Sequence, residues 1–168
     1  MSAYEQIRKL EATDNVSEFE SNHPALDQYL QKHAFTNMKA NSAQTYVCCY
    51  ENKVVGFYSL AVGSVAPENA PPRVMKGQAK HDVPVMLLAR LAVDIDHREN
   101  GLGTALLKNA LLRTVQAADI AGIRCLLVHA KDEKALQWYS RFDFEVSPTD
   151  SYHLMLLMKD IKVLMGAY

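Results

Sequence analysis

The stretch HRENGLGTALL, residues 97–107, limits what this chain can fold into more than any other. Ahead of it lies VPVMLLARLAVDI, apolar on both faces, which predicts a central strand. Behind it, Leu107, Leu111, Val115 and Ala118 fall at helical spacing, with Lys108, Arg113 and Gln116 elsewhere. That predicts a helix from Leu102 to about Ala118. Gly101 and Gly103 sit where the strand gives way to the helix. The first N–H groups of a helix have no partner inside it, and they point with the positive end of the helix dipole. Bare backbone lets such donors approach a ligand closely, and the favoured ligand is an anion such as a phosphate or diphosphate. Arg98 adds a charge that can grip phosphate through two donors.

Two familiar phosphate loops are excluded. No run matches G-x-x-x-x-G-K-S/T. The dinucleotide pattern G-x-G-x-x-G lacks its third glycine, because "TAL" follows Gly103, and it belongs near the start of a doubly wound domain. An Arg98-x-x-Gly101-x-Gly103 loop behind a strand remains.

The rest of the chain reads as one mixed domain over residues 1–168. Residues 5–12 suggest a short strand. HPALDQYLQKHAFTNMKAN suggests a helix, with Pro24 in its first turn and Leu26, Tyr29, Leu30 and His33 on one face. AQTYVCCYENKVVGFYSLAVGSV suggests a hairpin turning at ENK, with Thr45, Val47 and Cys49 alternating. APENAPPRVMKGQAKHDVP reads as a surface loop. IRCLLVHA suggests a buried strand, and KDEKALQWYSRF a second helix capped by Asp132, with Leu136 and Tyr139 on one face. FEV and YHLMLLMK are the last strand-like runs. At 49% hydrophobic residues the chain can build its own core, and a net charge of −1 argues against a global nucleic-acid-binding field. Three cysteines without a C-x-x-C pair favour a reducing compartment and no zinc site. MSAYEQIRKL lacks the apolar core of a signal peptide, and no apolar run reaches the roughly 20 residues that span a bilayer. The expectation is a cytoplasmic protein.

LARLAVDIDHRENGLGTALL resembles the acyl-CoA-binding core of the GNAT superfamily of N-acetyltransferases, whose signature is Gln/Arg-x-x-Gly-x-Gly/Ala behind a strand. WYSRFDFEV resembles that superfamily's FYxxxGF, with Asp143 where the glycine usually stands. The resemblance runs from about residue 5 to residue 160. It implies an α/β GNAT fold, a mixed central sheet with helices on both faces, in the order β-α-β-β-β-α-β-α-β-β. ALDQYLQKHA, VVGFYSLAVGSV, VPVMLLARLAVD and SYHLMLLMKDI are most similar to the toxin branch of type II toxin–antitoxin modules. That likeness implies acetyl transfer from acetyl-CoA to the α-amino group of aminoacyl-tRNA, arrest of translation, and a ribbon-helix-helix antitoxin as partner. Many relatives dimerise, which implies a homodimer, and IKVLMGAY at the end is expected to pack on the domain or on a second copy.

The resemblance also distributes roles. Backbone groups of Leu91, Ala92 and Val93 are expected to pair with the pantetheine arm. Arg98, Glu99, Asn100, Gly101, Leu102, Gly103 and Thr104 are expected to hold the diphosphate, and Asp132 and Ala135 to border the cofactor. Tyr139 is the expected catalytic residue. A phenol with a pKa near 10 stays protonated at neutral pH and can give a proton to the leaving sulfur. The alternative is a core tyrosine whose hydroxyl finds a partner.

No carboxylate or histidine announces itself as a general base. An α-amino group, with a pKa of about 7.7–8.0, needs less help than a lysine at about 10.4. That favours an aminoacyl ester over a protein lysine. Arg73, Lys76 and Lys80, with His81, Arg90 and Lys39, form a candidate positive rim for RNA, against the alternative of a solvated loop. His97 reads as exposed and incidental, and His129 and His153 as buried and satisfied. Met155, Leu156 and Met158 read as core or interface. Other acceptors remain open: a small amine, an antibiotic or a protein N-terminus. So does a non-catalytic acyl-CoA-binding module. No metal is expected.

Overall fold

The computed structural model describes residues 4–166. Strand β1 (Arg8–Lys9) opens the chain, followed by helix α1 (Pro24–Gln28), a wide π-turn (Tyr29–His33) and α2 (Ala34–Lys39). Strands β2 (Gln44–Tyr50) and β3 (Lys53–Val65) form the predicted hairpin. A short helix α3 (Pro72–Met75) precedes β4 (Val83–Val93), and α4 (Leu102–Ala118) precedes β5 (Cys125–His129). Helix α5 (Glu133–Ser140), strands β6 (Glu145–Val146) and β7 (His153–Leu157), and α6 (Met158–Leu164) complete it. The order of the larger elements is the expected one. Helix α6 takes over at Met158, where the sequence suggested a continuing strand. Of the terminal IKVLMGAY, residues 167–168 lie outside the described residues.

The chain forms two compact units. One runs to Ala61 and adds Ala89–Ala110; the other comprises Val62–Leu88 and everything from Leu111. Strand β4 and helix α4 each contribute to both.

In the first unit, β1 pairs antiparallel with β2, and β2 with β3. Glu51 and Asn52 make the hairpin turn with φ of 49° and 65°, the left-handed backbone a two-residue turn needs to match strand twist. The predicted alternation fails, because Thr45 through Cys49 are all buried. Register shifts between Cys48 and Cys49, so Cys48 faces Gly56 and Cys49 faces Val54. Leu30, Ala34, Val47, Phe57 and Ala92 pack into this unit's core. His33 does not join that core; it is exposed, and Ala34 is buried instead. The wider π-turn displaces the helical phase by a residue, which simple periodicity cannot anticipate.

In the second unit, β4 and β5 pair in parallel over Val85–Leu88 and Cys125–Val128. Strand β7 pairs antiparallel with β5 and with β6. Val65, Ala70, Val74, Val83, Val85, Cys125, Leu127, Met155 and Leu157 form its core. Residues 66–82 are therefore not a plain surface loop. They fold back through α3 and bury Ala70 and Val74, leaving the tip from Lys76 to Asp82 exposed.

Candidate active site

The strand-to-helix junction lies wholly in the first unit. Asp94, buried behind the last residue of β4, organises it. Its carboxylate accepts from the N–H of Asp96 and of Glu20, both at 3.0 Å. Its own N–H donates to the Val55 carbonyl at 2.8 Å, and Ile95 N–H reaches the Glu20 carbonyl at 2.8 Å. The chain then makes a single 3₁₀ turn, Ile95–His97. Glu99 and Gly101 both take left-handed backbone, with φ of 65° and 78°. A Cβ on Gly101 would meet open space. The glycine is therefore wanted for its backbone angle, not for room.

The first helical bond of α4 runs from Ala105 N–H to the Gly101 carbonyl at 3.0 Å. The N–H groups of Leu102, Gly103 and Thr104 thus precede the intrahelical ladder. These are the donors an anion would use, and α4 carries 17 residues of aligned dipole behind them. The donor chemistry fits the diphosphate of coenzyme A. The Leu102 side chain is buried, and Gly56 on β3 gives it room. A Cβ there would stand 3.0 Å from Leu106 and 3.2 Å from Leu102.

Arg98 lies at the surface of the loop with its guanidinium donating to the Ser21 carbonyl. A guanidinium has five N–H donors, so this anchors the side chain without exhausting it. His97 departs from expectation: it is half-buried, and its Nδ1 lies 2.9 Å from the Tyr4 hydroxyl. Arg90 is half-buried with its guanidinium 3.7 Å above the Tyr29 ring, a cation–π geometry. Lys39 stands over Phe35 at 5.8 Å.

The second unit carries Tyr139. Asp132 caps α5 as predicted, its carboxylate accepting from Ala135 N–H at 2.8 Å. The Tyr139 ring is buried, edge-on to Trp138 at 5.0 Å and to Phe144 at 5.6 Å. Its hydroxyl hydrogen-bonds to no described residue. Yet no fully buried side-chain polar atom among the described residues lacks a partner. The hydroxyl therefore reaches accessible space while the ring stays fixed. Burial raises its pKa, so it remains a proton donor at neutral pH. Asp143, at the family's glycine position, adopts the glycine's left-handed backbone with φ of 68°. The turn survives the substitution because aspartate tolerates this region better than most residues.

The basic segment is more structured than its sequence suggests. It holds no acid near Arg73, but acids arrive from elsewhere. Asp160 takes the Arg73 guanidinium through two bonds of 2.8 and 3.1 Å, and Glu145 adds a third at 3.2 Å. Arg73 holds the Asp160 carboxyl below its usual pKa. Arg124 braces the same segment by donating to the carbonyls of Val74 at 2.9 Å and Lys76 at 3.2 Å. Lys76, Lys80 and His81 lie exposed near the tip.

His129 is exposed rather than buried, because it is the last residue of β5. Its ring stacks on His153 at 3.9 Å, and His153 is half-buried with Asp150 at 3.3 Å. Partial desolvation, then neighbouring His153, holds the His129 pKa below the ordinary histidine value. All three cysteines are free and buried, with burial pushing Cys48 up to about 11 and Cys125 up to about 12. None is a ready nucleophile. Among the described residues no three His, Cys, Asp or Glu side chains gather to hold a metal, and no helix is long and apolar enough to cross a membrane.

Residues 41–146 match the acetyltransferase (GNAT) domain family. The chain belongs to that family. It is 49% identical over 166 residues to a tRNA-acetylating toxin of Mycobacterium tuberculosis, covering 99% of each chain. Its fold matches a variant of the AtaT toxin bound to the C-terminus of the antitoxin AtaR and acetyl-CoA, with a TM-score of 0.83 at 24% identity and coverage of 98% and 99%. It also matches AtaT complexed with acetyl-methionyl-tRNAfMet, with a TM-score of 0.88 at 24% identity and coverage of 95% and 98%.

Proposed function

We propose that this chain is an acetyl-CoA-dependent N-acetyltransferase that acetylates the α-amino group of aminoacyl-tRNA and so arrests translation. The observation that carries the reading is the 49% identity, over 99% of both chains, to a tRNA-acetylating toxin. The junction geometry supports it. In this reading the amides and side chains of residues 98–104 hold the diphosphate. Backbone groups of Leu91, Ala92 and Val93 pair with the pantetheine arm. The parallel ladder to β5 covers Val85–Leu88 while β4 continues to Val93, which favours that use of its end.

The chemistry needs little from the protein. The neutral amine attacks the thioester carbonyl, the tetrahedral intermediate expels the thiolate, and an amide forms. Tyr139 gives its phenolic proton to the departing sulfur, the amine's proton passes to solvent, and solvent returns a proton to the phenolate. The accessible hydroxyl on a fixed ring is what such a donor requires. Lys76, Lys80 and Arg90 contact the RNA backbone. Arg73, already shared between two carboxylates, adds less to that field.

The same reading makes residues 1–168 one acetyltransferase domain, cytoplasmic and dimeric, with a ribbon-helix-helix antitoxin as its partner. Controlled expression in a bacterial host tests it. The wild type arrests growth and Tyr139→Phe relieves the arrest, whereas a harmless wild type would remove the toxin reading.

A further inference from the structure

The loop proposed to hold the diphosphate is braced by a cluster that the family signature does not contain. Tyr4, Tyr50 and His97 gather their rings: Tyr4 to Tyr50 at 5.1 Å, Tyr50 to His97 at 4.9 Å, and Tyr4 to His97 at 5.6 Å, edge-on. The Asn100 amide donates to the Tyr4 oxygen at 3.1 Å. The Tyr4 hydroxyl lies 2.9 Å from His97 Nδ1. Two hydrogen bonds therefore meet at the Tyr4 oxygen: the Asn100 amide donates to it, and it pairs with His97 Nδ1, the imidazole tautomer setting which of the two donates. Tyr4 is itself pinned, because the next residue, Glu5, donates its N–H to the Cys49 carbonyl at 2.9 Å. On the loop's other side, Arg98 reaches the Ser21 carbonyl and Asp94 holds Glu20.

Between these two braces lies Glu99 in left-handed backbone, which is unfavourable for a non-glycine residue. Such a conformation persists only where its surroundings over-determine it. Loosening one brace lets residues 99–101 relax, and the amides at the start of α4 lose their common aim.

We propose that Tyr4 and His97 are positioning residues that pre-form the diphosphate loop, so that the N-terminal segment sets affinity for the acetyl donor without touching it. This rests on the reading of residues 98–104 given above. Tyr4→Phe keeps the ring and removes both hydrogen bonds. The expected effect is roughly a tenfold rise in KM for acetyl-CoA, equivalent to about 1.4 kcal/mol.

Kinetics with two donors test the idea. For acetyl-CoA, Tyr4→Phe raises KM roughly tenfold and changes kcat at saturation by less than about twofold. For acetyl-pantetheine, which has no diphosphate, the same substitution leaves kcat/KM unchanged. His97→Phe, a ring that cannot hydrogen-bond Tyr4, shows the same selectivity. Equal losses on both donors would make the cluster merely structural and overturn the proposal, as would no loss on either. Calorimetry on the wild type separates the two levels. Failure of the wild type to bind acetyl-CoA overturns the acetyltransferase reading, and this inference with it. Binding by the wild type with unchanged affinity in Tyr4→Phe overturns this inference alone.

Discussion

At the scale of single residues, the sharpest contrast is between Tyr139 and His129. Both sit in the second unit; the sequence put Tyr139 forward as the catalytic candidate and His129 as a buried, satisfied histidine. Tyr139 has its ring buried and its hydroxyl at accessible space, so the donor is both held and usable. His129 is exposed at the end of β5 and stacked on His153. Its folded pKa lies below the unfolded value, so the native state favours the neutral ring. The stability this contributes is present above the unfolded pKa, about 6.5, and is lost as pH falls through the lowered folded pKa. His129→Gln therefore gains thermal stability relative to the wild type as pH drops from 7 to 5. Melting curves across that range check it, and parallel curves for the two proteins would contradict it. Residue types and spacing announced the Gly101 turn and the Asp132 cap, whereas Tyr139 was singled out by the family resemblance. The partners of Arg73 and His97 stayed hidden, because Asp160 and Tyr4 lie 87 and 93 residues away along the chain.

At the scale of elements, β3 and α4 show how packing sets the position of the proposed anion site. Gly56 is the point on β3 where the first turn of α4 comes closest. Leu102, the first residue of that helix, and Leu106, one turn later, are buried there. Gly56→Val forces side-chain atoms into occupied space and is expected to cost about 1–3 kcal/mol in urea unfolding, as overpacked cores do. It also displaces the amides of Leu102, Gly103 and Thr104, so acetyl-CoA binding weakens. Unchanged stability would mean that the two leucines yield freely.

The boundaries of α4 followed from its hydrophobic spacing alone, since a long helix with one apolar stripe is read easily. The π-turn at Tyr29–His33 and the β-bulge that inserts Val55 opposite Cys48 and Cys49 were not legible, because each inserts a residue into a period that sequence reading assumes unbroken. Helix α3 was hidden for another reason. Its proline-rich, charged segment reads as loop, and Val74 and Ala70, with Met75 packed against them, commit it to the core.

At the scale of the whole molecule, a net charge of −1 has to coexist with a proposed polyanionic substrate. The cations must then act locally. Two structured features limit which do: Arg73 is taken by Asp160 and Glu145, and Arg90 lies on the Tyr29 ring. Lys76 and Lys80 at the exposed tip are left as the main contributors. Changing both to alanine is expected to weaken tRNA acetylation and to lower the salt slope by about one unit per lost phosphate contact. Acetyl-CoA affinity should not change. An unaltered salt slope would take this segment out of the RNA interface.

The central claim is that the chain joins an acetyl group from acetyl-CoA to the amine of an aminoacyl-tRNA. Mass spectrometry of charged tRNA pools, after incubation with purified protein and acetyl-CoA, reads that bond directly. The account predicts aminoacyl-adenosine fragments carrying one added acetyl group on the α-nitrogen, and their loss with Tyr139→Phe. Consumption of acetyl-CoA with every aminoacyl group unmodified would contradict it.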